Sequence, residues 1–158
     1  DMGIKSPLNL STTGSLSVWF KAAPADGAQV GYMAGTGDWN SDLNGYLIAM
    51  YGSNVDGNLQ MEVANGSTQT YIDTGGNYAD NKWHLANLTW DGTTVRTYVD
   101  GDPKGTDAQV TPVSNVNPFF VGYGPTGGDP YKGSLDDVRV YNRALSATEI
   151  KQLYNQGK

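Results

Sequence analysis

KWHLANLTWDGTTVRTYVDGDPKGT, residues 82–106, is the stretch whose reading decides the fold. Two strand-like runs meet at Asp91-Gly92, and a second Asp-Gly pair stands at Asp100-Gly101. Asp-Gly between alternating runs favours a type I′ hairpin, because both central residues need positive φ and glycine adopts it without strain. Residues 82–106 are therefore expected to form a three-stranded meander, with Trp83 and Trp90 as framework residues.

The flanking sequence supplies more strands of the same kind. SLSVWFK, residues 15–21, alternates, with Leu16, Val18 and Phe20 on one face and Ser17, Trp19 and Lys21 on the other. Further strands are expected over Gln29–Thr36, around Leu59, Met61 and Val63, over Thr68–Asp73 after an Asn65-Gly66 turn, and over Pro118–Tyr123 and Ser134–Tyr141. Ile4–Leu10 reads as an edge-like segment broken by Pro7, which cannot donate to a ladder. Tyr46–Tyr51 is almost continuously apolar, as a strand covered on both faces would be. The single helix signal comes last. Ser146 with Glu149 makes a capping box, Leu145 can staple onto Ile150, and Ala147–Tyr154 gives about two turns that cap the surface. About a dozen short strands with frequent turns predict an all-β fold, a two-sheet antiparallel β-sandwich with one short C-terminal helix.

Composition agrees. The chain has 158 residues, with 21 glycines and 10 tyrosines, and only two glutamates, Glu62 and Glu149. That is the profile of one turn-rich β domain spanning residues 1–158, with no internal repeat. A net charge of −6 with ten scattered Lys and Arg excludes a nucleic-acid-binding patch. There is no cysteine, hence no disulfide framework, and no run of apolar residues long enough to insert in a membrane.

Catalytic patterns are missing. Glycoside hydrolysis ordinarily uses two carboxylates flanking the scissile bond, and Glu62 has no acid two residues on, while Glu149 belongs to the capping box. His84 is the only histidine and reads as a structural residue of its strand, so no Ser-His-Asp triad is expected. No glycine-rich phosphate loop follows a strand. The expectation is a protein that is not an enzyme.

Binding chemistry concentrates in GDWNSDLNG, residues 37–45. Asp38, Asn40, Asp42 and Asn44 recur at every second position, an oxygen-ligand spacing like the first half of a calcium loop. The glycine comes two residues late and the closing bidentate acid is missing, so an Asx-rich turn is the alternative. Asp38 and Asp42 are the candidate Ca²⁺ ligands, and no other cofactor is indicated. Trp39 sits among these polar residues with little local apolar cover. An aromatic platform ringed by carboxylates and amides suits sugars, whose rings have apolar C–H faces and polar rims. Tyr78, Tyr123 and Tyr131 also lie in or beside loops, with Asp129 between the last two. Trp39, Asp38, Asn40, Asp42, Asn44, Tyr123, Asp129 and Tyr131 are the candidate ligand-binding residues. Whether the strand ends at 36–44 and 123–131 meet at one rim is a question of topology that spacing does not answer.

Three stretches together resemble the laminin-G-like members of the concanavalin A-like lectin/glucanase superfamily. They are SLSVWFK at 15–21, the meander at 82–106, and GSLDDVRVYNRALSATEIKQLY at 133–154, which is similar to that family's closing strand and helix. The resemblance covers nearly the whole chain and implies a jelly-roll sandwich. It adds Asp136 as a candidate metal ligand, because an acid at that place is characteristic of the closing motif and sits near calcium in some members. Members of the bacterial type usually carry a further N-terminal strand with a calcium-linked loop, so the chain is expected to be a module trimmed of that strand or lacking it.

The sequence thus predicts a non-catalytic carbohydrate-binding module of a larger secreted, bacterial protein, extracellular or at the cell surface. Its partner would be a polysaccharide or other glycan, bound through rim loops or a sheet face. The alternatives are an adhesion module binding an extracellular protein and a structural accessory domain of a multimodular enzyme. Fold alone does not choose among them.

Overall fold

The computed structural model describes residues 8, 10–24, 31–36, 44–51, 57–108, 118–124 and 129–157. Within them run ten strands: β1 (Gly14–Ala22), β2 (Gly31–Gly35), β3 (Asn44–Tyr51), β4 (Asn58–Asn65), β5 (Gln69–Asp73), β6 (Trp83–Trp90), β7 (Thr94–Val99), β8 (Asp102–Ala108), β9 (Phe120–Val121) and β10 (Gly133–Tyr141). One helix, α1 (Ala147–Gln156), follows. Two five-stranded sheets form, in the orders β10-β1-β6-β7-β8 and β5-β4-β3-β2-β9. We call them the meander sheet and the facing sheet. All the pairings between strands are antiparallel.

The expected meander is β6-β7-β8, but its two Asp-Gly turns differ. At Asp100-Gly101 both residues have positive φ, 56° and 78°, as a type I′ turn requires. At the first turn only Gly92 does, with φ 96°, so the type I′ expectation fails there. Asp91 instead lies outside the tip and organises it. Its Oδ1 accepts the backbone N–H groups of Thr93 and Thr94 at 3.0 and 2.9 Å, and its Oδ2 accepts from Arg96. A short acid that bonds the backbone beyond it competes with the left-handed conformation the simple rule assigns to it.

Other boundaries shift for local reasons. β9 is only two residues long: Pro118 has no N–H to give, and Gly122, at φ 75°, turns away while its N–H reaches Met33 O at 2.8 Å. β2 is Gly31–Gly35 where Gln29–Thr36 was expected, and Gln29 and Val30 lie outside the described residues. Most of the Ile4–Leu10 segment lies outside them too.

The core fills the space between the sheets. Leu16, Val18 and Phe20 from β1, with Ala86, Leu88 and Trp90 from β6, face Tyr46, Ile48, Met61 and Val63, all essentially inaccessible to water. Tyr46 and Trp90 pack ring against ring, tilted by 34°, with centroids 4.7 Å apart. Burying each such large side chain contributes about 1.5–3 kcal/mol. β3 is buried on both faces, as its unbroken apolar run predicts.

The helix begins at the predicted cap. Ser146 Oγ accepts the Glu149 N–H at 3.3 Å, and Glu149 Oε2 accepts the Ser146 N–H at 2.9 Å. Arg143 grips the same carboxylate through both guanidinium nitrogens, and with the cap this holds the Glu149 pKa down to about 2. Leu145 and Ile150 join Tyr98 in a buried cluster, so α1 packs on the outer face of the meander sheet. Ser15 ties the cap to β1: its Oγ accepts from Leu145 N and donates to Arg143 O, both at 2.9 Å.

Candidate functional site

Of the loop at 37–45, Asp38, Trp39, Asn40 and Asp42 lie outside the described residues. Asn44 opens β3, opposite Asn65 across the ladder and beside the Asn65-Gly66 turn. Asp129 holds φ 52°, and its carbonyl accepts the Tyr32 N–H at 3.1 Å. Tyr131 donates its N–H to Gly122 O at 3.0 Å and packs its ring where side chains at Gly31 and Gly133 would stand. The Tyr131 hydroxyl is buried without a partner among the described residues, and burial pushes its pKa up. Tyr123, just beyond β9, is half exposed. Asp136 lies on β10 opposite Trp19, exposed, with Oδ1 accepting the Asp137 N–H at 2.7 Å.

Tyr123, Asp129 and Tyr131 therefore cluster, but not with the 36–44 strand ends. Gly35 pairs with Phe120 and with Leu47, so Thr36 and Asn44 leave at one end of β2. Tyr32 bridges Pro130 at the other end. The described strand ends at 36–44 and 123–131 occupy opposite rims. Sequence spacing contains no information on this, because it depends on which way β9 runs beside β2.

The outer face of the facing sheet brings together residues that the sequence reading did not select. β5 alternates strictly, with Thr70 and Ile72 buried and Gln69, Tyr71 and Asp73 exposed. Register places Tyr71 opposite Glu62 and Asp73 opposite Gln60. Glu62 in turn pairs with Leu47, and Gln60 with Ala49. The outer face thus runs from an exposed phenol, through carboxylates and amides, to a small buried cluster of Leu47, Ala49, Tyr32 and Phe120. Tyr71 is 52% exposed although flanked by β4, while Glu62 beside it is 2% exposed. An aromatic in the polar phase of an amphipathic edge strand was the available signal.

Hydrolytic chemistry finds no assembly among the described residues. Glu149 is bound by Arg143 and Ser146. His84 bridges two acids, Nδ1 to Asp100 Oδ2 at 2.7 Å and Nε2 to Asp80 Oδ1 at 3.0 Å, with its ring against Phe20 and Tyr78. Hydrogen bonding to Asp100 leads in raising the His84 pKa, while burial opposes it. That is a bridge between the 74–82 segment and the second Asp-Gly turn. Among the described residues no group of three or more His, Asp or Glu is placed to hold a metal ion, and no helix is long and apolar enough to cross a membrane.

A family model described as the concanavalin A-like lectin/glucanases superfamily, of laminin G type, matches residues 3–151. The chain belongs to this family. The laminin G domain is 27% identical over 150 residues to the zebrafish (Danio rerio) adhesion G-protein coupled receptor V1, a match covering 90% of this chain and 2% of the receptor. Solved structures share the fold. The carbohydrate-binding module CBM40 of the Ruminococcus gnavus IT-sialidase, bound to α2,3-sialyllactose, superposes with TM-score 0.76 at 15% identity, over 96% of this chain and 90% of that one. Domain 4 of AbnA, an extracellular arabinanase from Geobacillus stearothermophilus in complex with arabinotriose, gives 0.66 at 21% identity, over 92% and 68%.

Proposed function

We propose that this laminin G domain is a non-catalytic carbohydrate-binding module that takes a glycan on the outer face of the facing sheet, around Tyr71. One observation carries the reading: a half-exposed phenol on β5, with Gln69 and Asp73 exposed beside it and Gln60 across the ladder from Asp73. A sugar ring laid on the phenol covers apolar carbon on both partners, and its hydroxyls then meet acceptors and amides at the ring's edge. Trp39 and its neighbours Asp38, Asn40 and Asp42, in the sequence between β2 and β3, are proposed as a further contribution to binding. Structures of the same fold that hold sialyllactose and arabinotriose, one of them from an extracellular enzyme, support the reading and a place outside the cell within a larger secreted protein.

A glycan array with the wild type, Tyr71→Ala and Trp39→Ala tests it. Tyr71→Ala should weaken binding at least about tenfold, or 1.4 kcal/mol. Binding unchanged by Tyr71→Ala but lost in Trp39→Ala would move the site to the loop. No binding to any glycan would favour a protein partner, for which Val121 and Tyr123, each 51% exposed, offer apolar surface at the far edge of the same sheet. We also propose calcium at Asp38 and Asp42. Calorimetry on chelator-stripped protein should then show binding heat, and silence at about millimolar calcium would remove the ion from the reading.

A further inference from the structure

A recess lies on the opposite side of the molecule from Tyr71, between α1 and the meander sheet. It encloses about 150 Å³, lined by Ser17, Trp19, Leu85, Asp137, Arg139, Leu153, Gln156 and Gly157. Ser17, Trp19 and Leu85 are buried and form the floor, while Asp137, Arg139, Gln156 and Gly157 are exposed and form the mouth. The recess exists because of two local features. β10 bulges between the partners of Ser17 and Trp19, with Asp137 at φ 47°, which locally bends the strand. Gly157 ends α1 where any side chain would collide with the Trp19 indole, so the helix end comes down on the ring without filling the space beside it.

Its walls have a definite chemistry. Arg139 and Asp137 form a pair, Nη2 to Oδ2 at 3.1 Å, so the mouth has donors and acceptors but no net charge. An anion would meet Asp137 and a cation would meet Arg139; a neutral molecule with adjacent hydroxyls can donate to one and accept from the other. Ser17 and Gln156 add a hydroxyl and an amide, and Leu85, Leu153 and the indole add an apolar wall. Next to the floor, Asn87 faces Ser17 across the ladder, 1% exposed, with neither amide atom bonded among the described residues. The space equals about five waters of liquid, the bulk of one sugar ring.

We propose that this recess is a second ligand site, separate from Tyr71, that accepts one neutral sugar ring end-on. It goes beyond the sheet-face reading and does not depend on it. Two-dimensional ¹H–¹⁵N NMR of the whole chain, titrated separately with glucose, galactose, mannose, xylose, arabinose and N-acetylglucosamine, tests it. At least one should shift the amides of Ser17, Trp19 and Leu153–Gly157 with a Kd of about 1–10 mM. Arg139→Met and the exposed-mouth variant Gln156→Ala should weaken that response several-fold while their spectra remain folded, and Tyr71→Ala should leave it intact. No response to any of the six at about 100 mM would overturn the proposal. So would a response to acetate or methylammonium alone, or one that both mouth variants leave unchanged.

Discussion

Two aromatic positions on the outer faces of the sandwich have opposite fates. On the meander sheet, Trp19 belongs to the strand phase that points away from the core, yet it is 4% exposed because Tyr154 stacks on it at 5.9 Å. On the facing sheet, Tyr71 occupies the equivalent outward phase and is open. The difference is a helix. Leu145 and, from α1, Ile150, Leu153 and Tyr154 come over one face, whereas the Tyr71 edge of the other keeps its polar side chains in water. A ring face covered by another ring contributes to stability, and an uncovered face is available for a ligand to stack on. Aromatic residues that look alike in sequence therefore divide by what is packed over them.

Ile150→Ala attacks the covered face and should have the largest effect. It removes a fully buried side chain at the centre of the seal, at a cost of about 2–5 kcal/mol, read as a lower denaturation midpoint. A loss below about 1 kcal/mol would mean that α1 rests on the sheet without sealing it.

The His84 bridge gives a smaller effect, dependent on pH. Its pKa is raised in the fold, so the folded state holds the proton more tightly than the unfolded chain does. That contribution is complete below about 6.5, the ordinary value, and fades as pH climbs through the raised one. Asp80 runs the other way: Lys82 first, then His84, hold its pKa well below 3.8, so its contribution is present above that value and fades in acid. Denaturation midpoints measured from about pH 5 to about pH 9 should fall on the alkaline side in the wild type. His84→Asn should flatten that fall, and an unchanged slope would show that the bridge does not couple to folding.

Tyr71→Ala should change stability least, within about 0.5 kcal/mol, because the ring covers little of the core. If it costs as much as Ile150→Ala, Tyr71 is a packing residue and the contrast between the faces collapses.

Much of this architecture is legible in the sequence because its causes are local. The meander follows from alternation and Asp-Gly pairs, and α1 from Ser146, Glu149 and the Leu145–Ile150 contact. What is not legible is non-local. The rim that receives Tyr123, Asp129 and Tyr131 is fixed by β9 lying against β2, a pairing between residues far apart in the chain. Trp19 looks outward in its strand and is buried by a helix more than a hundred residues later. Tyr71 is legible in the alternation of QTYID as an aromatic in the polar phase, but its exposure depends on what distant segments leave open.

The hydroxyl of Ser15 bonds residues 128 and 130 positions further along the chain. β1 also sits between β10 and β6, so one of its edges stays without its partner until the last strand has been synthesised. During translation the first strand must wait while almost the entire domain emerges. The pairing of β1 with β10 consequently comes late and requires a long loop closure. A nascent chain halted anywhere before β10 would present the open side of β1, a bare strand edge that other chains could pair with.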